Sequence, residues 1–368
     1  MEVNWEAIRT QFPALENRTW LNTATFGQIP VRTRAAVDSH FARRDQTASA
    51  DFLTWFDDVD EIRALIGQLI NCRAEDIAFA MNAASALSLF LNGMDWRAGD
   101  RIVTLRDEFP NQYYCGASLA DRGVELIRMN EINSVPERTR AVLVSTVNYS
   151  NGYRPDVAFI SQLARRTGAL LYVDGTQSVG ALRFDVAAVK PHMLAVDGYK
   201  WLLCPNGATF FYVAPELRRT LRPSVIGWRS DKGWRSVNEL HHGAHTMPEG
   251  AEKYEGGMLN FPSIYGAGES VRMMLEIGLD RVERRVLDLA TITADILRRS
   301  GASVLHDNTH IVAAHWPDRD ASDLAGMLAE KRIIVAARHG NLRVSPHFYN
   351  NEEDLDRLRA ALEQASAC

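Results

Sequence analysis

The stretch LLYVDGTQSVGALRFDVAAVKPHMLAVDGYKWLLCPNGATFFYV (residues 170–213) decides how this chain reads. It holds three short apolar runs, ALLYVD (169–174), HMLAV (192–196) and ATFFYV (208–213). Continuous apolar runs bounded by polar turns suit strands buried on both faces. Asp174 closes the first run, and in an open α/β sheet ligands bind at the carboxyl ends of the strands. Lys200 stands in GYKWLL, between Tyr199 and Trp201. An ammonium in apolar surroundings is costly unless paired or reacted. A Schiff base removes that cost, and desolvation makes the free amine a better nucleophile. A lysine taken alone is most often a solvated surface group, and a strand-end aspartate is often a turn residue. What points to chemistry is the pair of segments DGTQSVG and DGYKWLLCPNG, separated by one further strand.

Outward from this stretch the same rhythm continues. Strand-like runs IAFAM (77–81), RIVTL (101–105) and RAVLVST (140–146) alternate with helix patterns AASALSLFLNGM (83–94), NQYYCGASLADRG (111–123) and VAFISQLARRTG (157–168). The alternation predicts an α/β fold with a mainly parallel sheet. Residues 215–262 break it: they are rich in Trp, His, Gly and Pro, and such irregular segments are usually functional or interfacial. A helical pattern resumes near 263 and runs through VRMMLEIGLDRVERRVLDLATITADILRRSG (271–301). Short strands HIVAAHW, RIIVAAR and NLRVS follow, then a terminal helix NEEDLDRLRAALEQA capped by Asn350 or Asn351. The division expected is an N-terminal segment (1–20) packing with the small domain, a large domain (21–262) and a smaller α+β domain (263–368).

Composition bounds the partners. A chain of 368 residues with 46% apolar and 24% charged residues has material for two domains sharing a core. A net charge of −5 gives no reason to expect nucleic acid. The N-terminus lacks the basic and apolar regions of a secretory signal, and no apolar run reaches the roughly 18 residues of a membrane helix. Cys72, Cys115, Cys204 and Cys368 are scattered, which predicts reduced thiols and a cytoplasmic protein. His241, His242 and His245 lack matching carboxylate or cysteine spacing, so no metal is expected and the loop reads as polar surface near the site's mouth. Trp228 and Trp234 read as pocket wall or buried interface, and Cys204 as a buried core thiol.

With these residues in place, the chain resembles the class V aminotransferase family, which includes cysteine desulfurases, selenocysteine lyases, kynureninases and isopenicillin-N-epimerase-like proteins. The resemblance runs through LNTATFGQIP (21–30), IAFAMNAASAL (77–87), RDEFPNQY (106–113), STVNYSNGYR (145–154), the lysine stretch, YEGGMLNFPS (254–263) and NLRVSPHFYNNEEDLDRL (341–358). It implies pyridoxal-phosphate (PLP) fold type I, a large, mainly parallel α/β domain with a smaller α+β domain, and a homodimer with active sites at the interface. It also implies roles for individual residues. Lys200 would form the Schiff base with PLP and then move protons. Asp174 would pair with the pyridinium, and Gln177 with the 3'-oxygen. Phe109 would stack on the ring, with Ala83, Ala84, Ser85 and Tyr199 around the phosphate. Asn148 or Tyr149 would approach the 3'-oxygen side. Arg343 would hold the substrate carboxylate, with Arg338 a lesser candidate for the same pocket.

Four positions depart from the family's pattern. Ala83 and Ala84 stand where relatives carry Thr or Ser. Asp197 stands where a small or hydroxyl residue is common, and is expected to point elsewhere or to pair with a cation. Met258 replaces a threonine that reaches the partner's phosphate. The stretch 323–343 lacks the cysteine that desulfurases use, so a persulfide-forming desulfurase is not expected. The expected activity is amino-acid chemistry, most simply transamination, with a β-lyase or an epimerase as the alternative. A PLP-fold protein that binds without turnover is the reading from another class; failure to take up PLP would favour it.

Overall fold

The computed structural model describes residues 3–366, so Cys368 lies outside the described residues. The chain opens with a short helix (Trp5–Arg9), followed by a two-residue strand β1 (Thr19–Trp20), two long helices (Val31–Thr47 and Thr54–Ile70), and then the alternating region. That region supplies β2 (Ile77–Ala80), β3 (Arg101–Leu105), β4 (Glu125–Met129), β5 (Thr139–Ser145), β6 (Leu170–Asp174), β7 (Met193–Val196) and β8 (Thr209–Val213). These form one seven-stranded sheet in the order β2-β8-β7-β6-β5-β3-β4. Only β8 runs against its neighbours; the other strands are parallel. The central strands are buried along almost their whole length, as an α/β sheet covered on both faces requires.

The six runs expected to be strands all pair in this sheet. The edge strand β4 was not anticipated. Its sequence, ELIRM, is only half-buried and is broken by Glu125 and Arg128, so it lacks the continuous apolar run of the inner strands.

Chain order reverses between β3 and β5: β4 lies outside β3, whereas β6 and β7 extend the other way from β5. Such a reversal opens a crevice at the carboxyl ends of the strands. Facing that end are the segment after β3, Ser145 on β5, Asp174 on β6, the loop after β7 and the helix Ala83–Asn92 that follows β2.

The remaining strands β9 (Ser303–Val304), β10 (Val312–His315), β11 (Ile333–Ile334), β12 (Ala336–Arg338) and β13 (Asn341–Val344) lie in the C-terminal part. Four of them form an antiparallel sheet, β12-β13-β10-β9, and β11 pairs with β1 in parallel. The N-terminal segment is thereby tied to the C-terminal part, and Arg9 adds an ion pair of 2.8 Å to the buried Asp354. Residues Leu289 to Leu362 build a second hydrophobic cluster under this sheet, together with Leu21. The continuous helix read from 263 to 301 is two helices, Phe261–Ile277 and Leu279–Arg299. Gly278, at φ +95°, separates them in a conformation that side-chain-bearing residues rarely adopt. Of the two candidate caps of the last helix, Asn351 accepts the Asp354 amide through its side chain.

Candidate active site

The site is a small cavity of about 30 Å³ at the carboxyl ends of β5, β6 and β7. Its lining includes Ala83, Phe109, Tyr149, Asp174, Gln177, Asp197, Tyr199 and Lys200. Lys200 is brought there by close backbone packing. Gly27 donates its amide to the Tyr199 carbonyl at 3.0 Å, and a Cβ on Gly27 would stand 1.9 Å from the Lys200 carbonyl oxygen. Only glycine lets the N-terminal segment lie this close to the lysine loop.

Lys200 is 8% exposed and makes no hydrogen bond or ion pair within the described residues. Its Nζ lies 5.5 Å from the ring centroids of both Phe109 and Tyr199. Burial lowers its pKa to about 8 against the opposing pull of Asp174, and Arg343 and Arg338 push it the same way as burial. A buried amine without a partner, poised near neutrality, is the state a nucleophilic lysine needs.

Asp174 ends β6 with its carboxylate inside the cavity, 7% exposed. One oxygen accepts the Thr176 amide at 2.9 Å; the other accepts Gln112 Nε2 at 3.4 Å. Gln112 also donates to Ser145 Oγ, whose own hydroxyl donates to Glu108. Glu108 was not singled out in the sequence. It is partly buried, and desolvation raises its pKa to about 7 despite the two hydrogen bonds from Ser145. Only its place directly before Phe109 could have drawn attention to it.

The other predicted residues divide. Phe109 stands over Lys200 and meets Tyr149 edge-on at 5.1 Å. Tyr149 lines the cavity. Asn148 does not: its amide holds the turn, donating to the Asp107 carbonyl and accepting from Ser150 and Asn151. Gln177 lines the cavity, with Nε2 on the Ala24 carbonyl and Oε1 on Trp201 Nε1. Ala83 opens the helix Ala83–Asn92 at the cavity wall. Ala84 is the next residue of that helix and does not line the cavity. Ser85 is exposed, and both its amide and its hydroxyl are taken by the N-cap Asn82. Tyr199 packs on Phe26 with ring centroids 4.6 Å apart.

Asp197 departs from expectation, since it neither turns away nor meets a cation. It lines the cavity, accepts Thr209 Oγ1 at 2.7 Å and the Ala83 amide at 3.4 Å, and burial raises its pKa. Two hydrogen bonds at a helix N-terminus hold the carboxylate where the sequence offered no cation.

Arg343, on β13, is 1% exposed and donates to the Tyr149 carbonyl, Asn22 Oδ1 and Thr25 Oγ1. No carboxylate lies within 4.0 Å of it among the described residues, and burial, then Arg338, lowers its pKa to about 9.

The His241–His245 loop and Trp228 line a separate cavity that shares no residue with the Lys200 cavity. Trp234 is buried against Phe56 and Trp228, so neither tryptophan walls the lysine site. Cys204 is a buried thiol, raised to about 12 by burial.

Against known proteins, the model of the family described as aminotransferase class-V matches residues 39–358. The chain belongs to the class-V aminotransferase family. It is similar to a probable cysteine desulfurase of Methanothermobacter thermautotrophicus, 25% identical over 98% of this chain and 97% of that one. Among solved structures it is similar to the cysteine desulfurase of Thermococcus onnurineus NA1, with TM-score 0.88, 21% identity and coverage of 100% and 99%. A complex of a cystine C–S lyase with cysteine persulfide superposes with TM-score 0.87, 21% identity and coverage of 96% and 99%. The fold is therefore PLP fold type I, and the protein is a PLP-dependent enzyme of the aminotransferase and lyase class. No helix among the described residues is long and apolar enough to cross a membrane.

Proposed function

We propose that this enzyme binds PLP through Lys200 and catalyses β-elimination on a sulfur-substituted amino acid, as a C–S lyase. The observation that carries the reading is Lys200 itself, buried and unpartnered between Phe109 and the Asp174 carboxylate. The cavity fits the cofactor in its donor set: an aromatic face, a carboxylate at a strand end and a helix N-terminus. PLP, when bound, supplies an electron sink that acidifies the substrate's α-hydrogen.

The chain's own residues do the rest. Asp174 would hold the ring nitrogen protonated, and Phe109 would pack against the ring face. The N-terminal turn at Ala83 would face the phosphate. Arg343 would grip the substrate carboxylate with its planar fork. Lys200, with its pKa near 8, takes the α-proton at Nζ. Electrons from the C–H bond then expel the β-sulfur as a thiolate, so no oxidant is needed.

Transamination would share the first proton removal. The elimination reading draws its support from those relatives that are described as desulfurases and a C–S lyase. A desulfurase that parks sulfur on its own thiol is not favoured. None of Cys72, Cys115 and Cys204 lines the cavity, and burial pushes Cys72 and Cys204 to about 12. The same reading carries a homodimer, since Val225, Ile226 and Met258 expose apolar surface around the Gly227–Gly256 contact. The test is product analysis of the PLP-loaded protein with S-substituted cysteines. Thiol and pyruvate in equal amounts, lost in Lys200→Ala, are expected. Conversion of the cofactor to its amine form with release of the intact keto acid would overturn elimination in favour of transamination.

A further inference from the structure

Arg338 has no role in the mechanism above, yet it shares a face with Arg343. On the β12–β13 hairpin, Ala336 is opposite Arg343, and Arg338 lies two residues beyond Ala336. Opposed residues and alternate residues of a strand point to the same side, so the two guanidiniums are diagonal neighbours. Both donate to one oxygen, Thr25 Oγ1, at 2.5 Å from Arg343 and 3.4 Å from Arg338. Arg338 otherwise donates only to the carbonyl of Ala337. Neither arginine has a carboxylate within 4.0 Å among the described residues, although the chain pairs most of its other buried arginines with acids. Beside them, Tyr149 meets His339 at 2.9 Å.

Two like charges this close repel unless an anion sits between or beside them. One substrate α-carboxylate compensates Arg343. It leaves Arg338, which is half-buried and has donors to spare, uncompensated. We infer that Arg338 holds a second anionic group and that the enzyme's substrates are amino acids whose side chain carries a carboxylate. This rests on the reading of the site as an amino-acid site. It goes further by assigning the substrate's charge and the residue that reads it.

A matched pair of compounds tests it. S-(2-carboxyethyl)-L-cysteine and S-propyl-L-cysteine have side chains of nearly equal length and differ in charge. Their affinities are read from the change in the bound cofactor's absorbance, in the PLP-loaded protein. The expected result is that the carboxylated compound binds tighter by roughly tenfold or more, the size of a charged hydrogen bond. Arg338→Gln should bring the ratio close to one, and Arg338→Lys should restore part of it. Equal affinities in the unaltered protein would overturn the inference, as would an Arg338→Gln protein that keeps its preference for the carboxylated compound. An equal loss for both compounds in Arg338→Gln would also overturn it, by placing Arg338 on the α-carboxylate. These failures all occur with the cofactor responding to amino acids. A bound cofactor that responds to no amino acid at all would instead contradict the underlying reading and take the inference with it.

Discussion

Two regions of this molecule bury arginine, and they treat it in opposite ways. Behind the large sheet, Arg63 and Arg229 converge on Glu255, which is wholly buried. Glu255 accepts from Arg63 at 2.5 Å, from Arg229 at 2.9 Å and from the Phe79 amide at 2.9 Å, so both of its oxygens are spent. Asp60 and Glu252 add further charge, and Arg229 stacks between Phe56 and Trp234. Beside the lysine cavity, behind its lining residue Tyr149, Arg343 is equally buried but is met only by neutral oxygens. The first cluster is closed: each buried guanidinium already meets two carboxylates. The second is open, because a buried cation without an anion is stable only while something else repays its desolvation. A filled buried ion cluster marks architecture; an unfilled one marks a place for a ligand.

Breaking the closed cluster has the largest expected effect. Glu255→Gln would take from two buried guanidiniums the carboxylate they share, leaving Arg63 only Asp60 and Arg229 only Glu252, and cost about 3 kcal/mol of stability, read as a fall in urea midpoint. Arg343→Gln reverses the pattern. It removes an uncompensated buried charge, so the urea midpoint should hold or rise. Affinity for amino-acid substrates should fall by about 2–4 kcal/mol in cofactor-absorbance titrations. If both variants lose stability alike, the contrast between the two regions fails.

Glu108 sharpens the comparison from the acid side, since it is partly buried and has no ion-pair partner among the described residues. Its pKa in the folded protein is raised from 4.5 to about 7. The native state therefore binds more protons than the unfolded chain between these values, and stability must decline as pH rises through that window. Glu108→Gln should remove this decline. The stability difference between the variant and the parent should shift by up to about 1.4 kcal/mol per pH unit from pH 4.5 to 7, and stay flat above. The smallest effect is a ligand effect. A small dicarboxylate at ten times its dissociation constant should stabilise the parent by about 1.4 kcal/mol and leave Arg343→Gln unmoved in a thermal melt.

How far the sequence reached follows the same physics. The inner strands were legible because burial on both faces demands unbroken apolar runs, and β5 to β8 have them. Lys200 and Asp174 were legible because each is a charged residue set against such a run. The edge strand β4 was not, because exposed Glu125 and Arg128 interrupt its apolar run, one on each face. Nor was the helix Val31–Thr47, whose only buried residues are Thr33 and His40. The Glu255 cluster joins residues almost two hundred positions apart, and no local pattern announces such a meeting. Asp197 was noticed as a departure, but its partners, Thr209 and the Ala83 amide, come from β8 and from a helix that starts before β3. Arg343 was found through family resemblance, whereas its lack of a counter-ion appears only when every neighbour is in place.

The central claim is that Lys200 is the residue that carries PLP. The most direct measurement is borohydride reduction of the PLP-loaded protein, followed by digestion and mass analysis of the peptides. The account predicts one pyridoxyl group per chain, on the peptide bearing Lys200, and none in Lys200→Ala. A label on another lysine, or a protein that takes up no PLP at all, would contradict it.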